Sequence, residues 1–259
     1  MSQSISDLVV RSITSTITIF SRPFSRYPGV PVGSRSTAIK LEEGENKDKV
    51  WVLASSRCDE VVIENIKKLG QVKYLVAPDT GLNTPIKSSN ALLEQYIDAF
   101  PDAKVIGVDG LQSKASDVKF DYIYGQEPAD KKVGYEPEIQ VVWFDKFINR
   151  DLAFFHQPTK TLVQADLLFN LPGYEQYSNS KESAEPWVPF VQNFRPGTLT
   201  HRIAAMAMSK NDASDELNSE IKKVYEWDFD RIIPSHGDVI ETGGKKAWYD
   251  VFSRYLPKS

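Results

Sequence analysis

The stretch Thr161-Leu162-Val163-Gln164-Ala165-Asp166-Leu167-Leu168-Phe169 decides how this chain is read. An apolar run of strand length ends on a carboxylate, at the kind of strand-to-loop junction where α/β folds place site residues. Just upstream, Asp151 to His156 is a second strand, and Gln157-Pro158-Thr159-Lys160 turns the pair into a hairpin. Toward the C-terminus, Ile232-Ile233-Pro234-Ser235-His236-Gly237-Asp238 repeats the pattern, with a strand, a histidine and a glycine that permits a tight turn. Taken singly, neither is diagnostic. A strand-end Asp often caps a turn, and a lone His is often satisfied by backbone.

Outward from these two points the chain alternates its periods. Ser15 to Phe20, Ser36 to Leu41 and Val50 to Ala54 read as strands of an antiparallel meander, interrupted by the Pro-rich turn from Ser21 to Gly33. Asp59 to Leu69 has helical spacing, with Val62, Ile66 and Leu69 on one face and Gly70 as a stop. Val72 to Ala77 is a strand, Pro78 to Ser89 loop-like, Asn90 to Phe100 a helix, and Lys104 to Val108 a strand. This alternation marks an α/β domain. Ile139 to Phe144 and Arg231 to Pro234 add strands; Leu199 to Ser209, Ser214 to Trp227 and Gly244 to Tyr255 add helices. The whole chain, 1–259, is expected to be one domain. The irregular stretch 172–196 is long for a structureless connection, so it is either a lid or insertion, or holds helix that the pattern does not show.

Composition narrows the function. Hydrophobic residues make up 41% of the 259, enough for a substantial core. A formal net charge of −4, with no long basic run, argues against nucleic acid or an anionic membrane as the main partner. The single cysteine, Cys58, allows no intrachain disulfide and suits a reducing compartment; no apolar run is long enough for a signal peptide or a membrane span. A cytoplasmic protein is expected. Cys58 follows an apolar strand and reads as a packed thiol rather than a nucleophile.

Three histidines are present, His156, His201 and His236. No His-x-His, His-Glu-x-x-His or Cys-x-x-Cys pairing occurs, nor a Gly-x-Ser-x-Gly elbow, a phosphate-cradling glycine loop or a dinucleotide fingerprint. In order and setting, however, the Asp166 and His236 segments resemble the metallo-β-lactamase superfamily. Gln164-Ala165-Asp166-Leu167-Leu168-Phe169 is similar to its bridging-aspartate segment, and Pro234-Ser235-His236-Gly237 to its terminal-histidine segment. More narrowly, Gly33 to Ile39, Val72 to Pro78, Tyr96 to Gly110 and Leu152 to Pro172 resemble a divergent branch of that superfamily described only as a domain of unknown function. The resemblance implies a four-layer αββα sandwich and hydrolase ancestry.

The chain departs from the pattern where chemistry would be decided. Active members carry His-x-His-x-Asp-His after the fourth strand. Here that loop is Ala77-Pro78-Asp79-Thr80-Gly81-Leu82-Asn83, with no histidine, and Glu138 to Asn149 has no counterpart of the middle histidine. His156 is no substitute. In the hairpin it pairs near Thr161, about five residues from Asp166, or roughly 16 Å at about 3.3 Å per residue. His201, near a helix start, would enter the cleft only if 172–196 folded over it. The resemblance therefore implies a vestigial metal set of Asp166, His236 and Asp79. That set suggests no cofactor, or at most a single zinc or iron.

Three readings follow: a metal-poor relative that binds a small molecule or partner in the old cleft, a divergent hydrolase with one metal, or a metal-free Asp166/His236 acid-base pair assisted by a Ser or Tyr. No catalytic residue is assigned at this point, and an enzyme, if this is one, is expected to be a hydrolase. Tyr174, Tyr177, Trp187, Phe190 and Phe194 suit either an apolar pocket or a self-packed loop. Arg22, Arg26 and Arg35 are a possible anion site if they converge.

Overall fold

The computed structural model describes residues 7–81, 88–128, 130–188, 190–210, 212 and 214–256. The chain opens with β1 (Val9–Ser12) and β2 (Ile17–Arg22), followed by a small hairpin of β3 (Ser25–Tyr27) and β4 (Val30–Pro31). Next come β5 (Ser34–Lys40), β6 (Lys49–Leu53), helix α1 (Glu60–Leu69), β7 (Gln71–Val76), helix α2 (Ser88–Ala99), β8 (Lys104–Val108) and β9 (Tyr122–Tyr124). The second half holds β10 (Ile139–Trp143), β11 (Leu152–His156), β12 (Thr161–Gln164), α3 (Tyr174–Tyr177), α4 (Leu199–Met208), α5 (Asp215–Glu226), β13 (Arg231–Pro234) and α6 (Gly244–Phe252).

Two sheets form. The first runs β1-β2-β5-β6-β7-β8-β9, antiparallel through β6 and parallel beyond it. The second runs β10-β11-β12-β13, antiparallel except for the β12–β13 pair. One apolar core joins them. Ile139, Leu152, Phe154, Val163 and Ile233 of the second sheet pack with Trp51, Tyr74 and their neighbours of the first, and the Trp51 and Phe154 rings meet edge to face at 4.9 Å. Because side chains alternate along a strand, Val142, Ala153, Phe155, Leu162 and Ile232 face the other way. There they meet Leu217, Ile221, Trp248 and Phe252 of α5 and α6. Helix α1 covers the outer face of the first sheet with Val62 and Ile66, its N-terminus capped by the Asp59 side chain. The layering is helix, sheet, sheet, helix, as expected.

The meander, the hairpin and the closing helices match the sequence periodicity. The turn-rich 21–33 stretch differs in folding as a hairpin, because Val32 and Gly33 both donate backbone N–H to Phe24 O at 2.9 Å. Within 172–196 lie α3 and a 3-10 turn at Val191–Asn193. With the hairpin this segment buries a small separate core around Val32, Leu171 and Val191. Among the described residues no helix is long and apolar enough to cross a membrane.

Candidate functional site

Asp166 follows the last residue of β12, and the turn that carries it is shaped by one buried amide. Gln164 Oε1 accepts the N–H groups of Leu167 (2.8 Å) and Leu168 (3.2 Å), while its Nε2 donates to Leu168 O at 2.7 Å. Asp166 N–H donates to Asp151 Oδ2 at 2.6 Å, and Asp151 Oδ1 accepts Leu152 N–H at 2.7 Å, so Asp151 is consumed by backbone. The Asp166 carboxylate itself is 3% exposed. Arg26 Nη2 (3.3 Å) and Asn149 Nδ2 (3.2 Å) donate to its Oδ2; its Oδ1 lies 3.2 Å from His236 Nε2.

His236 is fixed from every side. Gly33 O lies 2.5 Å from Nδ1, and a carbonyl can only accept, so Nδ1 carries a proton. The ring is sandwiched between Phe24 (6.1 Å, 28°) and Phe169 (5.8 Å, 13°). The turn after it requires glycine: Gly237 sits at φ +90°, and a Cβ there would stand 2.4 Å from Asn170 O. Arg35 braces the same turn. It is completely buried and donates to Pro234 O (2.6 Å), Gly237 O (2.7 Å), Ser21 Oγ (3.0 Å) and Glu175 (3.0 Å).

The Arg35 geometry corrects one expectation. Arg22, Arg26 and Arg35 do not converge on an anion, because each is committed to acidic partners: Arg22 to Asp7 and Asp59, Arg26 to Asp166, and Arg35 to Glu175.

Asp79 leaves β7 through Ala77 and Pro78, and its Oδ1 accepts Gly81 N–H in a tight turn. The turn is tied to the wall of the site, since Thr80 donates its N–H (2.8 Å) and hydroxyl (3.1 Å) to Asn149 O. Although Asp79 keeps partial exposure, burial and then the charge of Asp166 push its carboxyl up to about 6. Asp151 is likewise raised, by burial and then by Asp79. Burial alone would raise Asp166 too, but the facing His236 and Arg26 outweigh it and hold that carboxyl down at about 2. So Asp79, Asp166 and His236 share one electrostatic neighbourhood. The three together do not form one cluster of ligand atoms, since Asp79 does not join the Asp166–His236 pair. Among the described residues, the group of His, Cys, Asp or Glu side chains with ligand atoms all within 4.8 Å of one another is Asp145, Glu216 and Glu220, elsewhere on the molecule. Lys146 Nζ already pairs with Asp145 and Glu216 of that trio, each at 3.2 Å. Leu82 and Asn83 lie outside the described residues.

The other histidines are structural. His156 is fully buried, pairs across the hairpin with Thr161 as the spacing requires, and has Nδ1 2.7 Å from the Thr159 hydroxyl. His201 sits beside the site as a support: its Nε2 accepts Phe169 N–H at 3.2 Å and its ring stacks on Phe194 at 6.5 Å. Burial pushes both down to about 4. Asn149 and Asp151 carry no motif signal in the sequence and are brought to Asp166 only by the fold; Gln164 lies in the bridging-aspartate segment, but its role in shaping the turn was not legible there. Cys58 is buried and its thiol pushed up to about 12 by burial and then by Asp59, which suits a packed, unreactive group.

No protein-family model matches the chain, and no curated protein matches it in sequence. Solved structures do match in shape. A metallo-β-lactamase from Hirschia baltica superposes with a TM-score of 0.57 at 7% identity, over 98% of this chain and 100% of its own. One from Pontibacter korlensis gives 0.56 at 15% identity, over 96% and 98%. The flavodiiron core of Flv1 from Synechocystis sp. PCC6803 gives 0.62 at 11% identity over 96% of this chain, which spans 60% of that longer one. At such low identity the likeness speaks for architecture alone, and by that measure this chain has the metallo-β-lactamase fold.

Proposed function

We propose that the chain is a metal-poor relative of the fold's hydrolases, one that binds a small molecule in the cleft over Asp166 and His236 and does not hydrolyse through a dinuclear centre. One observation carries this reading: Asp166 faces a single imidazole, His236 at 3.2 Å, and among the described residues Asp79 does not join them in a trio of ligand atoms within 4.8 Å of one another. Catalytic zinc takes three protein ligands and a paired centre more, and a hydroxide nucleophile at neutral pH depends on a bound metal. The described residues do not fit that group. We propose that the 172–196 segment roofs this cleft. In its support, the Trp187 backbone N–H donates to Gly29 O at 3.0 Å on the β3–β4 hairpin that carries Arg26, and Trp187 and Phe190 are 84% and 57% exposed, apolar surface that a ligand could cover. We place the protein in the cytoplasm, without nucleic-acid or membrane partners.

Elemental analysis of protein purified from zinc- and iron-supplemented medium tests the reading. Less than about 0.1 equivalent of metal, with a metabolite that raises the melting temperature, supports it. Stoichiometric metal lost on Asp166→Asn refutes it.

A second reading, a metal-free hydrolase, draws on the separation of two neighbouring carboxyls. Asp166 is held ionised at about 2 against His236, while Asp79 at about 6 can hold a proton near neutrality. Its mark would be a hydrolytic rate that survives chelation and falls with both Asp79→Asn and Asp166→Asn.

A further inference from the structure

Asp166 is a buried carboxylate at the position where the fold's relatives are expected to hold cations, and a buried carboxylate without compensating charge is costly. We propose that the guanidinium of Arg26 takes the place of the missing metal charge at Asp166, so that this residue, as much as the lost histidines, closes the site to divalent cations. The inference rests on the metal-poor reading above.

Position argues for it first. Arg26 is the cation of the β3–β4 hairpin that reaches the site, its side chain 18% exposed and its Nη2 3.3 Å from Asp166 Oδ2. The hairpin is held down at both ends. Phe24 exchanges backbone hydrogen bonds with the buried Tyr177 hydroxyl, its O accepting at 2.7 Å and its N–H donating at 3.2 Å, and Phe24's ring lies on His236. At the far end Gly33 O receives His236 Nδ1–H, while Gly237 N–H donates to Val32 O at 3.0 Å. A hairpin clamped in this way presents Arg26 inward instead of leaving it to sample solvent.

The hydrogen bonds argue second. Oδ2 of Asp166 is shared by Arg26 and Asn149, whereas Oδ1, though 3.2 Å from His236 Nε2, has no aligned hydrogen bond. Asn149 is completely buried, and its Oδ1 is likewise without a partner. The site therefore keeps oxygen lone pairs suited to a cation while one face of the carboxylate is taken by a fixed guanidinium. A divalent ion a few ångströms from that guanidinium meets a repulsion that no rearrangement of water screens fully.

Calorimetric titration with zinc chloride at neutral pH, on the full chain dialysed against chelator, tests the idea. Three proteins are compared: the parent, Arg26→Ala and Arg26→Gln. Glutamine keeps an uncharged, hydrogen-bonding side chain on the hairpin should alanine unfold it. The expected result is no stoichiometric zinc binding by the parent and a gain of at least about tenfold in affinity for the variants. That gain is abolished by adding Asp166→Asn, and zinc raises the melting temperature of the single variants only. If folded Arg26 variants bind zinc no better than a zinc-free parent, Arg26 is not the barrier and the inference fails, while the metal-poor reading stands. If the parent itself takes up one equivalent through Asp166, both fail.

Discussion

Replacement of Arg35 by methionine probes the scaffold behind His236. The side chain is completely buried and holds two carbonyls, Pro234 O at 2.6 Å and Gly237 O at 2.7 Å, on either side of the His236 turn. Burial lowers its basicity, with Glu175 opposing the shift, so the charge is kept at a desolvation cost its partners must offset. Removing one member of a buried ion pair costs about 3–5 kcal/mol, and each orphaned carbonyl about 1–3 kcal/mol within that total. Glu175 is not orphaned, because Arg11 Nη2 remains 2.6 Å away, which places the expected loss at about 3–4 kcal/mol. For a chain of this size that corresponds to roughly 6–16 °C in melting temperature. Urea unfolding followed by tryptophan fluorescence reads it directly. Arg35→Lys should fall between the two proteins, since an ammonium cannot span four acceptors. A loss below about 1 kcal/mol for Arg35→Met would refute the view that this strut holds the site together.

Gly237→Ala forces a Cβ to within 2.4 Å of Asn170 O at φ +90° and should reduce stability by about 3 kcal/mol or prevent folding, read by urea midpoint and soluble yield. His156 and His201, both pushed down to about 4 by burial, resist protonation only when folded. Their contribution is complete above about 6.5 and is lost as the pH falls through 4, by about 1.4 kcal/mol per unit and group at most. A stability-against-pH curve that stays flat from 6.5 to 4.5 in the parent would contradict this, and His156→Gln should reduce its slope. Glu220 has the opposite sign. Burial and then Asp145 raise it to about 8, so its contribution is present below 4.5 and lost as the pH rises through 8. Glu220→Gln should accordingly raise the melting temperature at pH 8 relative to pH 4.5; an equal effect at both would exclude the repulsion.

Much of the architecture was legible in local pattern. Helical faces such as Val62 and Ile66 are set by burial on one side of an element, which neighbouring residues record, and the alternation from Thr16 to Phe20 marked β2 as a strand although both of its faces are buried. The order of strand, Asp166, helices, strand, His236 carried the fold, because chain order survives where identity does not. The candidate site was legible only as separate points. Nothing near Asp166 in the sequence announces that Arg26, 140 residues away, pairs with it, or that Asn149 and Asp151 support it. Nor could spacing tell that Arg35 is a buried strut and Arg26 a site cation, since both are basic residues flanking turns. These distinctions arise when two sheets close on each other and force distant charges to share a space from which water is excluded. In that space the partner of each charge is chosen by three-dimensional proximity and desolvation, quantities that a linear chain does not carry.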